Sequence, residues 1–558
     1  MPRQAAGRSC CMPQYSSAGA SYAGRLPHDA FDGNSNDLEL PDAPWSGRST
    51  TVPAHGAHTT RYESSTMRTY KRFVTATLAV LVACLVFALP VSAGAGAAEQ
   101  NVGIDHFVEQ YLETHHLPGA SIALVRDGEV LHEAGYGQTA TGAPLTESSL
   151  MRIESTSKPF TAFAVLQLVK DHHLDLDDPV IEHLPEFNLG GAGADKITVR
   201  QLLSHTSGVA TPTIIPPANT LAEGVARTHS WSLASEPGSS YRYSNANYWI
   251  AARMVEVVTG QPFNDYLAEH IFTPAGMADT LNLTTTTTPV RGLELGHVLS
   301  YGLAFPVPEV TAMISGAGGM VSTAHDMALW VAVQQRNGQA AGGQQLLSAE
   351  LVEESHRIQP HAKGSGLGWM RSSQENEPLI QHSGVGTAYN AQVMLDPAAG
   401  YGVVVLLNSF TPTLEHAYEI SSGILDLSGG ANPQIGVPAA IWIDLGLAGL
   451  TLLALVGGVR GLYRARPWAQ RRRHWGGWRF GLRLVPQLFA PAGTAFLFLV
   501  LTSLQGNSFT PSNVFWLYPA FMVLLLVLSI AGIATTGARL RHRLRTYTAA
   551  AQKAAPTP

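Results

Sequence analysis

The sequence is poor in cysteine and in charged residues. Its three cysteines, Cys10, Cys11 and Cys84, all lie near the N-terminus of the 558-residue chain. The remainder therefore has neither a disulfide nor a thiolate nucleophile. Charged residues make up only 14% of the chain, whereas hydrophobic residues make up 45%. This balance is more apolar than that of a typical soluble protein and predicts membrane segments.

Basic residues are also too few for a nucleic-acid-binding protein. The formal net charge is -6, whereas such proteins are usually basic. The 21 histidines include two adjacent pairs, at 115–116 and 172–173. Adjacent side chains on a helix point about 100° apart and chelate a metal ion poorly, and no HExxH motif is present. We therefore expect no nucleic-acid partner and no metal site.

The N-terminal region has two parts. Residues 1–66 are rich in Ser, Gly, Pro and Asp, and we expect them to be disordered. Residues 67–98 begin with Met67 and basic residues, continue with an apolar core and end with small residues, as a secretory signal does. One interpretation starts translation at Met67 and removes the signal. The other keeps residues 1–66 as a cytoplasmic tail with an uncleaved anchor helix.

The C-terminal third contains three long apolar stretches. Each can cross a bilayer core of about 30 Å as a helix, and they lie at 437–459, 484–504 and 514–537. They predict a three-helix transmembrane region, with the lipid bilayer as a partner.

The arginines of this region predict its orientation. The connection at 460–483 and the tail at 538–558 are rich in arginine, whereas the connection between the second and third spans has no charge. By the positive-inside rule the basic segments are cytoplasmic, so the chain before the first span is extracytoplasmic. Asp444 lies near the outer end of the first span, where we expect it to reach headgroups or water.

Residues 99–430 have the size of one domain. Helical spacing begins at Ile104, and two strand-like runs then flank a tight-turn signal at Asp127-Gly128. A second hairpin follows around residues 397–400, and a helix closes the domain. The pattern predicts an α/β fold, with an antiparallel sheet flanked by helices whose first and last strands come from opposite ends of the domain.

The segment RIESTSKPF contains a candidate nucleophile. Pro159 fits the first turn of a helix, so Ser155 should lie at a helix N-terminus with Lys158 about one turn later on the same face. Helix N–H groups favour negative charge near Ser155, and a desolvated amine can take the seryl proton. The alternative is an ordinary surface serine and lysine, because short motifs often occur by chance.

Two further segments carry polar groups of the required kinds. SSYRYSNANYWI supplies Tyr243, a possible proton relay, and Asn245, which can hydrogen-bond Lys158 and a substrate amide. The alternative for this segment is a loop with a helix-capping asparagine.

The second segment, LIQHSGVGTAYNAQV, supplies His382, Ser383 and Gly384 on a strand. Gly384 would let a substrate backbone approach closely. The backbone N–H of Val385 could form an oxyanion hole with that of Ser155. The alternative is an edge strand that enters a glycine bend.

These three motifs, in this order, resemble those of the serine β-lactamase and penicillin-binding-protein superfamily. The likeness is greatest to class C β-lactamases and the related DD-carboxypeptidases and esterases. It covers about residues 103 to 427, including the phrases at 197–209 and 316–330, which we interpret as scaffold. The resemblance implies a β-lactamase/transpeptidase-like fold.

The resemblance also implies the roles of the site residues. Ser155 would form an acyl-enzyme, and Lys158 with Tyr243 would move its proton to the leaving group. The substrate-binding residues would be Asn245, His382, Ser383 and Gly384. No metal or organic cofactor is needed. His382 stands where many β-lactamases have lysine, so binding of a substrate carboxylate should weaken as the pH rises.

The sequence thus predicts a multi-pass membrane protein with an extracytoplasmic serine hydrolase domain. Its substrate would be a small molecule or peptide with an acyl carbonyl, such as a D-alanyl peptide, a β-lactam or a small ester. The alternative is a penicillin-binding sensor that is acylated but turns over slowly. The sequence leaves open the choice of substrate and the oligomeric state.

Overall fold

The computed structural model describes residues 93–189, 193–210, 218–372, 379–504 and 510–554. The predicted N-terminal extension at 1–66 and the signal segment up to residue 92 lie outside these ranges.

The described residues form the strands and helices that follow. The strands are β1 Gly119–Arg126, β2 Glu129–Gly137, β3 Met151–Arg152, β4 Leu281–Asn282, β5 Gly296–Ser300, β6 Leu303–Val307, β7 Met320–Ser322, β8 Met370–Arg371, β9 Ile380–Val385, β10 Asn390–Asp396, β11 Tyr401–Leu407 and β12 Ser409–Phe410. The helices before the C-terminal region are α1 Ala93–His115, α2 Lys158–Lys170, α3 Val180–His183, α4 Val199–Leu203, α5 Leu221–Ala226, α6 Asn245–Thr259, α7 Phe263–Leu267, α8 Thr273–Ala275, α9 Ala324–Gln335, α10 Ala349–His356 and α11 His416–Ser428. The C-terminal helices are α12 Ala439–Tyr463, α13 Ala465–Arg471, α14 Gly477–Leu482, α15 Val485–Leu504, α16 Pro511–Leu517 and α17 Pro519–Ala554.

The main sheet joins the two ends of the domain, as the sequence predicted. Its strand order is β2-β1-β11-β10-β9-β8, and all pairs are antiparallel. Strand β1 pairs with β11, with Ala120 opposite Leu407. The β1–β2 turn has positive φ at Asp127 (50°) and Gly128 (83°), as a two-residue hairpin requires. Two smaller three-stranded sheets have the strand orders β12-β5-β6 and β3-β7-β4.

Helices cover both faces of the sheet, so the central strands β1, β11 and β10 are buried except at the last residue of β1 and of β10. Ile122 and Leu124 of β1 pack in a cluster with α1 and α11. Their neighbours Ala123 and Val125 face the larger core, which includes α2, α6 and α9. Successive strand residues point to opposite faces, and here both faces are apolar because both are covered.

Two C-terminal helices are long and apolar enough to cross a membrane, Ala439–Tyr463 and Pro519–Thr546. Helix α15 is also apolar but shorter, and it contains Pro491. The helices pack through small residues: a Cβ added at Gly532 would lie 2.1 Å from the carbonyl oxygen of Gln487. Thr494 and Ser529 hydrogen-bond across the same interface at 2.9 Å. Small residues and hydroxyl pairs are typical contacts between membrane helices.

Asp444 makes a contact that the sequence did not predict. Instead of reaching water, it is buried, and its Oδ2 accepts a hydrogen bond from the backbone N–H of Tyr301 at 2.5 Å. Tyr301 lies in the β5–β6 turn with a φ of 56°, and the acceptor of its N–H, Asp444, lies in α12. The carboxylate therefore attaches the first long apolar helix to the domain.

Candidate active site

Ser155 lies in a 3₁₀ turn, Glu154–Ser157, that leads directly into α2. The sequence placed Ser155 at the α-helix N-terminus, but the α-helix begins three residues later. Glu154 has a φ of 51°, a left-handed conformation that is uncommon for a residue with a side chain. It lies two residues after β3 and is the first residue of the 3₁₀ turn. Pro159 lies in the first turn of α2, as predicted.

Lys158 is fully buried, and its amine contacts the Ser155 hydroxyl. Nζ donates to Ser155 Oγ at 2.9 Å and to the carbonyl oxygen of Ala317 at 2.7 Å. Burial lowers the pKa of the Lys158 amine well below its ordinary value of 10.5, although the Glu154 carboxylate acts in the opposite direction. A neutral amine has a lone pair, so it can accept the seryl proton through the same contact.

Tyr243 approaches Ser155 from the loop before α6. Its hydroxyl donates to Ser155 Oγ at 3.0 Å, while 39% of the residue stays exposed. Desolvation raises the pKa of the phenol, which is therefore neutral at rest. Its ring also lies 4.9 Å from Lys158 Nζ. With a neutral lysine, the hydrogen bonds can run from Tyr243 to Ser155, from Ser155 to Lys158 and from Lys158 to Ala317.

Asn245 is the first residue of α6, and its amide oxygen is unpaired within the part of the chain that the structure describes. Oδ1 is buried and has no hydrogen-bond partner among the described residues. The expected contact with Lys158 is therefore not made through this oxygen. An unsatisfied buried acceptor costs about 1–3 kcal/mol, which a substrate N–H could recover.

His205 supports the Tyr243 loop and was missed as a site residue. Its buried ring lies 4.4 Å from the Tyr243 ring. Its Nδ1 lies 3.2 Å from both the Ser244 backbone N–H and Asn247 Nδ2. Because both of these partners donate, Nδ1 is the acceptor and Nε2 carries the proton. From the sequence we interpret the segment 197–209 as scaffold. The histidine in this segment was the only sign that it contacts the Tyr243 loop.

Strand β9 packs against the turn that carries Ser155. A Cβ added at Gly384 would lie 2.1 Å from the carbonyl oxygen of Ile153, so only glycine allows this approach. The predicted reason was access for a substrate backbone, whereas the structure uses the space for the protein's own chain. Val385 ends the strand directly after this contact, and 41% of its surface is exposed.

His382 and Ser383 both make contacts within the protein. Burial and the nearby Lys158 lower the pKa of His382 to about 3, so its ring is neutral. The Nδ1 of His382 donates to the Ser383 carbonyl at 2.8 Å. The sequence predicts that carboxylate binding weakens as the pH rises, because His382 loses its proton. With a pKa of about 3, His382 carries that proton only at strongly acidic pH. The Ser383 hydroxyl donates to Gln392 Oε1 at 2.6 Å.

A protein-family model described as beta-lactamase matches residues 104–423, which is more than half of the chain. The chain belongs to the β-lactamase family. Members of this family are serine hydrolases, and the matched range contains Ser155, Lys158, Tyr243 and the strand β9. The β-lactamase domain therefore ends before α12, the first of the long apolar helices.

Curated relatives match a little over half of the chain. Protein flp of Staphylococcus aureus strain MW2 is 29% identical over 322 residues, or 55% of this chain and 62% of that protein. The chain thus spans less than two thirds of that relative's length. Penicillin-binding protein 4 of Amycolatopsis lactamdurans is 28% identical over 344 residues, or 58% of this chain and 90% of that protein.

Solved structures share the fold of the β-lactamase domain. The octameric penicillin-binding protein homologue from Pyrococcus abyssi is 25% identical, with a TM-score of 0.53, and the match covers 62% of this chain and 81% of that one. D-amino acid amidase from Ochrobactrum anthropi SV3, complexed with L-phenylalanine amide, has a TM-score of 0.51 at 24% identity, covering 60% and 99%. These likenesses confirm the predicted β-lactamase/transpeptidase-like fold.

Proposed function

We propose that the chain is a membrane-anchored, extracytoplasmic serine hydrolase that acts on an amide or ester through an acyl-enzyme. The observation that carries this proposal is the meeting of two proton-transfer groups at one hydroxyl: Lys158 Nζ at 2.9 Å and Tyr243 Oη at 3.0 Å from Ser155 Oγ. The membership of the chain in the β-lactamase family supports it.

In the proposed acylation step, Ser155 Oγ forms a bond to the substrate carbonyl carbon. Its proton moves to Lys158, whose lowered pKa keeps the amine neutral and able to accept it. The backbone N–H groups of Ser155 and Val385 stabilise the negative charge on the carbonyl oxygen. The neutral phenol of Tyr243 then gives a proton to the leaving amine or alcohol as the bond between the leaving group and the carbonyl carbon breaks. The protonated Lys158 passes the seryl proton on to the phenolate, so that both groups are neutral again.

In the proposed deacylation step, water replaces the leaving group. Neutral Lys158 takes one proton from the water, directly or through Tyr243, as the water oxygen attacks the acyl carbon. The same proton returns to Ser155 Oγ as the ester bond breaks, which restores the alcohol. The free amide oxygen of Asn245 accepts a substrate N–H, which orients an amide substrate. Because His382 is neutral, recognition relies on hydrogen bonds and shape more than on a substrate carboxylate.

The membrane part of the proposal rests on the C-terminal helices. The helices Ala439–Tyr463 and Pro519–Thr546 are long enough to span a bilayer. Arginines cluster at 460–483 and again at 538–558, which favours a cytoplasmic position for both segments. The β-lactamase domain before the first helix is then outside the cytoplasm. The α15 segment must be a third span, because the chain has to cross the membrane once between the two cytoplasmic segments.

The test uses the full-length chain in detergent with four probes: a D-Ala-D-Ala peptide, a D-amino acid amide, a fluorescent penicillin and a short-chain nitrophenyl ester. We expect catalytic turnover of at least one probe. Ser155→Ala should abolish it, and the exposed Ser148→Ala in the same segment should not. A stable penicillin adduct with no turnover of any probe would favour the sensor, and turnover by Ser155→Ala would contradict the proposal.

A further inference from the structure

The carboxyl group of Glu154, the residue just before Ser155, faces a second carboxyl group. A Cβ added at Gly386 would lie 2.5 Å from Glu154 Oε1 and 2.9 Å from Glu309 Oε1. Both oxygens therefore approach the same point on the turn after β9. Glu154 begins the 3₁₀ turn of Ser155 with a φ of 51°. The two carboxyls link the turn of Ser155 to the turn that follows Val385.

Glu309 accepts three hydrogen bonds from the turn after β9. Its Oε2 accepts hydrogen bonds from the backbone N–H of Thr387, at 3.0 Å, and from the Thr387 hydroxyl. Its Oε1 accepts the backbone N–H of Ala388 at 2.7 Å. Hydrogen bonds donated to a carboxylate favour its charged form. Two adjacent carboxylates repel each other, so the proton belongs on the other member of the pair.

Glu154 is in the position to hold that proton. Burial and the charge of Glu309 raise the pKa of Glu154 well above its ordinary value, whereas Arg152 and Lys158 act in the opposite direction. The guanidinium of Arg152 donates to the Thr286 carbonyl at 2.8 Å, and the amine of Lys158 is itself poorly charged.

One further group faces the pair. The phenol of Tyr389 lies in the electrostatic field of both carboxyls, and burial raises its pKa too, so it stays neutral. Its hydroxyl donates to the Glu294 carbonyl oxygen and so does not donate to Glu154.

We propose that Glu154 is a positioning residue, kept as a neutral acid by Glu309, and that its proton keeps negative charge away from Ser155 and Lys158 during acylation. This inference rests on the proposed function. An ionised Glu154 would oppose the oxyanion that forms one residue away. It would also favour the protonated form of Lys158, which cannot accept the seryl proton, and would push the two turns apart.

The inference predicts the alkaline side of the pH–rate profile. The full-length enzyme and whichever of the four probes it hydrolyses fastest are used to measure kcat/KM from acid to alkaline pH. Activity should rise as Lys158 loses its proton and fall as Glu154 loses its proton. Glu154→Gln mimics the neutral acid, so its alkaline fall should move upward by about one pH unit or more, or vanish.

Glu309→Gln provides the opposite test. Removing the charge of Glu309 removes a cause of the raised pKa of Glu154, so Glu154 ionises more easily. The alkaline fall should then move downward by about one pH unit. A role in packing alone would lower the rate at every pH without moving the fall in opposite directions. Profiles of both variants that superimpose on the wild type would overturn the inference while leaving the hydrolase proposal intact.

Infrared spectroscopy tests the proton itself and needs no activity. The wild-type chain at neutral pH should show a C=O stretch from a protonated carboxylic acid, and Glu154→Gln should lack it. The band should persist in Ser155→Ala, which separates this inference from the hydrolase proposal. A wild-type spectrum whose acid band is unchanged by Glu154→Gln would show that Glu154 is ionised and would overturn the inference.

Discussion

Lys158 Nζ lies 2.9 Å from Ser155 Oγ because a 3₁₀ turn separates the two residues. In a 3₁₀ helix the side chains at i and i+3 are eclipsed, whereas in an α-helix they are offset. The turn therefore aims both side chains in one direction and leaves the α-helix to begin at Lys158 itself. The spacing of the motif has a direct geometric reason, and burial of the lysine supplies its chemistry.

The hydroxyl of Tyr243 can be removed without removing its ring. In Tyr243→Phe the ring should keep its contacts with His205 and with Lys158, and only the hydrogen bond to Ser155 is lost. We expect kcat/KM to fall by about 10²- to 10⁴-fold, the usual contribution of a positioned proton donor, with no change in melting temperature. Tyr241→Phe is the matched control, because its hydroxyl contacts the sulfur of Met370. A loss of less than threefold in Tyr243→Phe would remove Tyr243 from the mechanism.

The neutral state of His382 predicts a weak preference for substrates with a carboxylate. His382→Lys introduces a cation, and a charge-assisted hydrogen bond contributes about 1.5–3 kcal/mol. We expect acylation by a carboxylate-bearing penicillin to accelerate by at least about tenfold relative to hydrolysis of an uncharged ester. His382→Gln, which adds no charge, should leave this ratio unchanged. An unaltered ratio in His382→Lys would mean that position 382 does not face the carboxylate.

The contact between Gly384 and Ile153 predicts a position that tolerates no side chain. In Gly384→Ala the new methyl group must displace either β9 or the turn of Ser155, since the carbonyl oxygen is 2.1 Å away. A misplacement of about 1 Å can cost 10²-fold in rate, and we expect kcat/KM to fall by at least that factor. Gly342→Ala, which meets no atom within 4 Å, is the control. Equal activity of the two variants would contradict the observed packing.

Buried neutral histidines predict a loss of stability in acid. Burial lowers the pKa of His356, His382 and His416 to about 3, whereas the unfolded chain titrates near 6.5. The unfolded state therefore binds more protons as the pH falls below 6.5, so the stability present above this pH is lost on the way to pH 3. Each histidine contributes about 1.4 kcal/mol per pH unit in this range.

The melting temperature measured from pH 7.5 to pH 5 tests this prediction. It should fall steadily below pH 6.5, and His356→Gln should make the fall shallower. The exposed His173→Gln should have no such effect. A melting temperature that is constant over this range would show that these rings titrate normally in the folded protein.

Much of the fold was predictable because its signals are local. The turn at Asp127-Gly128 predicted the first hairpin, and the strand-like runs at the two ends of the domain predicted an antiparallel sheet flanked by helices. The order of the three motifs predicted the residues that meet at Ser155. That the three motifs converge was predicted only from the family resemblance, because their spacing along the chain does not indicate that Tyr243 lies 3.0 Å from Ser155.

Other features depend on contacts between distant segments and left no local signal. The carbonyl oxygen of Ala317 holds Lys158, and any residue type could supply that oxygen. His205 supports Tyr243 from a phrase interpreted as scaffold. Asp444 was expected at the membrane interface, and its actual partner is a backbone N–H in the β5–β6 turn. The partner of Glu154, at position 309, lies in a segment without a recognisable motif.

The central claim is that Ser155 becomes acylated with the help of Lys158. The most direct measurement is mass spectrometry of the full-length chain after brief exposure to a penicillin, followed by peptide mapping. We expect one adduct of the mass of the intact penicillin, on the peptide that contains Ser155. It should be absent from Ser155→Ala and formed far more slowly by Lys158→Arg, whose guanidinium cannot lose its proton. An adduct on another residue, or equal labelling of Ser155→Ala, would contradict the account.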